Sequence, residues 1–186
     1  QTNFRIGYFI SDHYTLSIGV DHMKYVVYND KRVNYSGYYP NAGTYGENPI
    51  GDELTLTEDF LLFEHTDGLN YINTEISRVD DISSIFKITN TDKFQINLTE
   101  GIGGGFLYPK TNSTLLGKER HDDFHISGFG VSAKAGLNFT FFKYFFVQTE
   151  LKGGYINMND IRTTNSPSDK ASQSFFFLQK VRTEKI

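Results

Sequence analysis

The 186 residues contain no cysteine and no tryptophan, and methionine (2) and proline (4) are scarce. Without thiols there is no disulfide framework, no thiolate metal site and no cysteine nucleophile. Long apolar runs are missing too. The longest, such as Phe60-Leu61-Leu62-Phe63 and Phe175-Phe176-Phe177-Leu178, are four residues long, whereas a membrane-spanning helix needs roughly 20 apolar residues. There is no excess of positive charge: 18 Lys and Arg stand against 22 Asp and Glu, for a net charge of −4. That balance argues against nucleic acid as a partner, since such binders carry a basic face. The glycines of Gly101–Gly105 are not followed by Gly-Lys-Ser/Thr, so they do not form a phosphate loop. A mean hydropathy of −0.40 looks, on its own, like that of a chain at home in water.

Aromatic residues are abundant, with 17 Phe and 12 Tyr, and so is glycine, also 17. They are arranged with a period of two, the signature of a strand whose faces meet different surroundings. Phe129, Val131, Ala133, Ala135, Leu137, Phe139 and Phe141 alternate with Gly130, Ser132, Lys134, Gly136, Asn138 and Thr140. Phe4, Ile6, Tyr8 and Ile10 alternate with Arg5 and Gly7, and Tyr14, Leu16, Ile18 and Val20 with Thr15, Ser17, Gly19 and Asp21. In 145–155 the odd face carries Phe145, Val147, Leu151 and Tyr155, and the even face Gln148, Glu150 and Lys152. No stretch shows a sustained helical period, so the chain is all-β.

Seven strand candidates result: 3–10, 14–28, 69–88, 93–108, 125–141, 145–158 and 171–180. Several exceed the usual five or six residues and suit a membrane crossing, which takes about 9–11. Short links at 11–13, 89–92 and 142–144 alternate with long ones at 29–68, 109–124 and 159–170. This is the plan of an antiparallel up-and-down transmembrane β-barrel with short periplasmic turns and long extracellular loops. Apolar residues face lipid on one side only, which keeps the mean hydropathy low, and Phe and Tyr near the turns form the interfacial girdle. Residues 1–186 read as one barrel domain, with 29–68 a long extracellular loop or β-arm rather than two strands split at Thr66-Asp67-Gly68. Bacterial single-chain barrels are closed and have an even strand number. About eight strands are therefore expected, with an N-terminal strand and signal peptide outside these residues. The charged 180–186 segment departs from the aromatic ending usual in barrel proteins and suggests an incomplete closing strand.

Four segments carry a family resemblance: 19–26 (GVDHMKYV), Glu58-Asp59-Phe60 to Asn70-Tyr71-Ile72, Asn97–Gly101 to Lys110-Thr111, and Gln148–Tyr155. They resemble small, uncharacterised outer-membrane β-barrel proteins of Bacteroidetes-type bacteria. The resemblance implies an eight-stranded barrel in a bacterial outer membrane, and it transfers no catalytic residue.

Polar residues of the inner face form the first candidate site: Arg5, Asp21, Glu75, Lys134, Glu150 and Lys152, with Asn73, Gln95, Asn97, Asn138 and Gln148. An eight-stranded barrel is just wide enough for side chains to fill, and buried charges must be paired. Three cations and three carboxylates fit a salt-bridged plug; a proton or small-ion path is the alternative. Glu100 interrupts the apolar face of Phe94, Ile96, Leu98, Ile102, Phe106 and Tyr108. Either a bulge at 99–101 turns it inward, aided by the neighbouring glycines, or it meets a partner or a lipid headgroup.

His125 and Ser127 lie two apart near the external rim and would share a lipid-facing strand face. Barrels similar to lipid A deacylases carry a His-x-Ser pair with an acidic orienter. Here Gly128 follows the serine, where those enzymes have Asn, and no orienter is evident beyond Asp122 and Asp123. His121, Asp122, Asp123 and His125 have ligand chemistry but match no metal template, so neither metal nor cofactor is expected. Asn-x-Ser/Thr triplets at 34, 97, 112 and 138 are discounted, because two lie in strands and the implied host is bacterial. Tyr35, Tyr38, Tyr39 and Tyr45, set among Gly and Asn, give the long loop the composition of a recognition surface. Phe60–Phe63 is too apolar to stand in water, and it would pack on that arm or on a partner.

The expected function is thus a non-enzymatic barrel, structural or partner-binding, or a subunit of a larger outer-membrane assembly. Its expected partners are outer-membrane lipid, lipopolysaccharide and other outer-membrane proteins. A lipid A acyl hydrolase on the rim and a soluble calycin-like barrel holding an apolar ligand are the alternatives. The soluble barrel would reverse the two faces, apolar in and polar out.

Overall fold

Period-two segments become strands, as side-chain alternation requires. In a computed structural model that describes residues 3–38 and 47–185, they are β1 (Asn3–Phe9), β2 (Tyr14–Val26), β3 (Arg32–Tyr38), β4 (Glu47–Thr55), β5 (Leu61–Asp81), β6 (Phe94–Leu107), β7 (Lys110–Leu115), β8 (His121–Phe124), β9 (Gly128–Phe141), β10 (Phe145–Arg162) and β11 (Lys170–Lys185). A 3-10 turn covers Ser83–Phe86. The main sheet runs in the order β1-β2-β5-β6-β9-β10-β11, every neighbouring pair antiparallel. The chain is all-β, with an antiparallel sheet of many strands. Among the described residues β1 and β11 do not pair with each other, and the sheet is not a closed barrel.

The sheet is nevertheless rolled. Arg5 on β1 bonds Glu150 on β10, which is not its neighbour in the strand order. Gln179 on β11 donates to Asn3 on β1 at 3.2 Å. One face therefore becomes an interior and the other an outer surface.

Element boundaries differ from the sequence reading in several places. The strand expected at 69–88 begins at Leu61 and ends at Asp81. Its end is set by the Asp81 carboxylate, which accepts the Ser83 amide at 2.8 Å and starts the 3-10 turn. Thr66-Asp67-Gly68, a turn signal in the sequence, falls inside β5. There the pairing with β2 shifts register between Met23 and Tyr25, and Gly68 takes the left-handed φ of +86° that a non-glycine residue resists. The links 29–68 and 109–124 contain hairpins rather than bare loop. β3 pairs with β4 as a separate two-stranded arm, and β7 pairs with both β8 and residues 61–65 of β5. Residues 125–127, expected in a strand, precede β9, and β10 runs on to Arg162.

Register sorts the outer face into rows. One reads Ile6, Ile18, Thr74, Gly104, Val131, Tyr155, Phe176, and the next Tyr8, Leu16, Ile76, Ile102, Ala133, Gly153, Leu178. These apolar side chains stand out of the fold: Phe4 and Ile6 are each 66% exposed, Phe176 84% and Leu178 74%. Inside, Glu75 is 2% exposed and Lys152 is fully buried. The usual distribution of a water-soluble protein is reversed.

Candidate functional site: a charged interior beneath an aromatic mouth

Inner-face rows bring the six charged candidates together. Gly7, Ser17, Glu75, Gly103, Ser132 and Gly154 form one row, and Ser77, Gly101, Lys134, Lys152 and Gln179 another. Small residues dominate because the long charged side chains need the space. A Cβ on Gly103 would sit 2.7 Å from Glu75 Cγ, and one on Gly130 would sit 2.9 Å from the Tyr71 ring.

Glu75 is the hub. Its Oε1 accepts from Lys152 Nζ at 2.6 Å and from Arg5 Nη2 at 3.1 Å, while Oε2 lies 2.7 Å from Lys134 Nζ. Glu150 accepts from Arg5 Nη1 at 2.8 Å and faces Lys134 at 3.4 Å. Asp21 pairs with Lys152 and, at 3.5 Å, with Arg5; Asn73 Nδ2 also donates to it at 3.0 Å. Lys152 Nζ lies 5.2 Å from the centre of the Tyr71 ring, and the Tyr71 hydroxyl donates to the Gly130 carbonyl at 3.1 Å. Three cations and three carboxylates therefore neutralise one another within the roll.

Polar neighbours extend the network downward. Gln148 donates to Glu150 at 3.0 Å, Asn138 to Gln148 at 3.2 Å and Asn97 to Asn138 at 3.4 Å. Gln95 lies at the edge of this set and donates to Asp81 instead. These hydrogen bonds and ion pairs link the walls of the roll across its interior.

Above the charges the interior turns apolar. Met23, Phe63, Leu69, Tyr71, Leu107, Ile156, Met158 and Ile161 form a buried cluster. Tyr25 stacks on Phe175 with ring centres 6.2 Å apart and meets Phe63 edge-on at the same separation. His65, wholly buried, lies beside Tyr25 and Phe63 and bonds Thr111 at 3.1 Å. Burial in these apolar surroundings lowers its pKa from 6.5 to about 4. A cavity of about 160 Å³ opens between Met23, Tyr25 and Leu69 on one side and Phe175, Phe177 and Gln179 on the other.

Glu100 is not turned inward. Pairing runs without a bulge from Arg78 through Glu100 to Ala135, and Glu100 is exposed on the outer face. It stands opposite Arg78, in a row with Tyr14 and Lys180. The charge that interrupts the apolar strand thus lies across from Arg78 in register near the short-turn end, and the Arg78 guanidinium itself is held by Asp80 at 2.7 Å.

At the other end, His125 Nε2 lies 3.3 Å from Asp160 Oδ2. Asp160 also meets Lys170 at 3.0 Å and Arg162 at 3.4 Å, and the Lys170 hydrogen bond is the main reason its pKa falls below the usual carboxylate range. Asp160 was not evident as an orienter in the sequence, because the β10 bulge between Met158 and Ile161 and the pairing with β9 are what bring it to His125. Ser127 departs from expectation. It is 2% exposed, not on an open rim, because the segment turns there: its amide donates to Leu107 and its carbonyl accepts from Asp160. His121, Asp122 and His125 point to separate partners: Thr111, then Lys110 and Arg120, then Asp160. Among the described residues no group of three such side chains could hold a metal ion.

In the arm, the Tyr35 ring meets Phe60 edge-on at 5.2 Å, so the apolar 60–63 segment packs partly on β3 and partly, through Phe63, in the interior cluster. Tyr38 ends β3, and Tyr39 and Tyr45 lie outside the described residues. Compared with known proteins, the chain matches no family model, no curated protein and no solved structure.

Proposed function

We propose that the protein is a non-enzymatic β-barrel of a bacterial outer membrane, with a structural or partner-binding role and an interior closed by its own side chains. One observation carries this reading: apolar and aromatic residues cover the outside of the roll while six charged groups are paired within it. In water that arrangement would expose a large apolar surface and bury charge, two costs with no return. In a bilayer the outer rows meet hydrocarbon and the interior remains polar. The same observation speaks against a soluble calycin-like barrel, which needs the opposite orientation.

The lower part of the roll, with its outward apolar rows, is the membrane-crossing region. The β5–β7–β8 extension and the β3–β4 arm stand above it on the outer side. The β3–β4 arm, with Tyr35 on β3, is the surface we assign to lipopolysaccharide or to another outer-membrane protein, in keeping with a subunit role. The acyl hydrolase alternative has a His125–Asp160 pair in its favour, but its nucleophile would be the buried Ser127.

Cell fractionation and gel migration test the reading. The protein should sediment with outer membranes, require detergent for extraction and migrate differently before and after boiling. Purification from the soluble fraction without detergent contradicts it. A detergent pull-down with mass spectrometry then separates a lone barrel from an assembly subunit. Loss of the co-purifying protein on deleting 36–50 supports the partner-binding role, and its retention counts against the arm.

A further inference from the structure

Glu100 stands on the outer face of β6 with apolar residues on most sides. Leu98 and Ile102 flank it along the strand, Ala135 lies across from it on β9, and all three are exposed. On β5, Arg78 is directly opposite, with Ile76 and Asp80 as the two diagonal neighbours. Arg78 does not turn to Glu100. Its Nε donates to Asp80 at 2.7 Å and its Nη2 at 3.1 Å, a two-point pairing that fixes the guanidinium on the other carboxylate. Among the described residues Glu100 takes neither an ion pair nor a hydrogen bond of its own.

One cation therefore serves two carboxylates, which leaves the patch with an excess of negative charge. His13 bonds the Val79 carbonyl and lies 3.6 Å from Asp80, so it adds to the Asp80 side of the patch. Lys180, in the same row as Glu100, is three strands further on, about 14 Å away, and does not reach it. In water an exposed carboxylate without a partner is ordinary. On a face that meets lipid it needs a counter-charge. Arg78 lies near the end of β5 at Asp81 and beside Tyr14 at the start of β2, which places the patch by the short-turn end. In a barrel that end borders the headgroups of the inner leaflet, where a tyrosine is also at home.

We infer that Glu100 and Arg78 seat the headgroup of an ethanolamine phospholipid, its ammonium on the Glu100 carboxylate and its phosphate on the Nη1 edge of Arg78 that Asp80 leaves open; this rests on the outer-membrane reading. The ammonium supplies the counter-charge that the patch lacks and donates hydrogen bonds to the carboxylate. A choline headgroup carries the same charge but has no N–H to donate, and a glycerol headgroup has no cation at all. Spacing agrees as well. The two-carbon arm of ethanolamine holds ammonium and phosphate apart by about the distance between directly opposed side chains, roughly 5 Å. The acyl chains of such a lipid would run up the exposed apolar rows of Ile76 and Ile102.

The test is native mass spectrometry of the detergent-extracted protein, titrated with phosphatidylethanolamine, phosphatidylcholine and phosphatidylglycerol of equal chain length. One phosphatidylethanolamine should be retained about tenfold more tightly than either of the others, the ratio that one hydrogen bond to a charged group supplies. Glu100→Gln should lower it to the level of phosphatidylcholine, and Glu100→Lys should turn the preference toward phosphatidylglycerol. Equal retention of the three lipids by the unaltered protein overturns the inference, as does a preference that survives Glu100→Gln. Tighter binding of phosphatidylglycerol by the unaltered protein would leave the phosphate as the only recognised group and also overturns it. Free O-phosphoethanolamine that displaces the lipid at equal concentration would assign the seat to a soluble ligand instead. Failure of the membrane reading shows separately, as purification without detergent, whereas failure of this inference alone shows as a detergent-requiring protein with no headgroup preference.

Discussion

Lys152 Nζ stands 2.6 Å from Glu75 Oε1, although 77 positions separate the two residues. β5 and β10 are not neighbours in the strand order, so this contact crosses the interior and ties opposite walls together. Arg5 adds a third wall through Glu75 and Glu150. The cluster is charge-balanced, and removing one member leaves an uncompensated buried charge, which generally costs about 3–5 kcal/mol.

Glu75→Gln should therefore lower the unfolding temperature sharply, since it leaves three cations facing two carboxylates. Adding Lys134→Met restores the balance and should recover part of the loss, a coupling expected of groups in one network. Gel-shift unfolding of the folded, unboiled form measures both. Equal or additive losses in the two variants would contradict a charge-balanced plug.

On the outer face, Ile102→Lys separates membrane from water. Ile102 is 65% exposed, and on a soluble protein a lysine there should change stability by less than about 0.5 kcal/mol. Facing hydrocarbon it should cost about 2–4 kcal/mol, decreasing toward the interface. Folding titrations in urea with lipid vesicles read the difference.

His65 gives the upper strands a pH dependence. Its pKa of about 4 in the fold, against 6.5 unfolded, means that the unfolded chain binds the proton first as pH falls. Stability is full above about pH 6.5 and declines toward pH 4, by at most about 3 kcal/mol. Hydrogen exchange of the β5–β7 pairing at pH 7 and pH 4.5 should show the loss, and His65→Leu should flatten it. The Asp160 pairing, lowered below the carboxylate range chiefly by Lys170, weakens only at more acid pH and on the other side of the mouth.

Ser127→Ala should leave the lipid A mass profile of cells unchanged. The hydroxyl lies in a 2% exposed residue, out of reach of a lipid substrate. A shift in lipid A mass that the variant abolishes would revive the hydrolase alternative.

Alternation made β1, β2, β6, β9 and much of β10 legible, because each has an exposed apolar face and a polar face turned to the interior. It also identified Arg5, Asp21, Glu75, Lys134, Glu150 and Lys152 as one cluster. The upper half of β5 was obscured because Thr66-Asp67-Gly68 has turn chemistry, and here that chemistry makes a bulge. Glu100 looked anomalous along its own strand, and only the register with β5 reveals Arg78 across from it. Asp160 was missed for the same reason: its link to His125 depends on strand pairing and on a bulge, neither of which a single strand's pattern contains.

Nitroxide labels placed one at a time along residues 98–106 of β6 test the central claim most directly, and the absence of cysteine makes each label unique. In reconstituted vesicles positions 102, 104 and 106 should be open to dissolved oxygen and closed to a water-soluble nickel complex, positions 98 and 100 should begin to admit the nickel complex as the short-turn end is approached, and the odd positions should be shielded from both. Positions 102, 104 and 106 open to the nickel complex would show that the apolar face meets water, and would contradict the account.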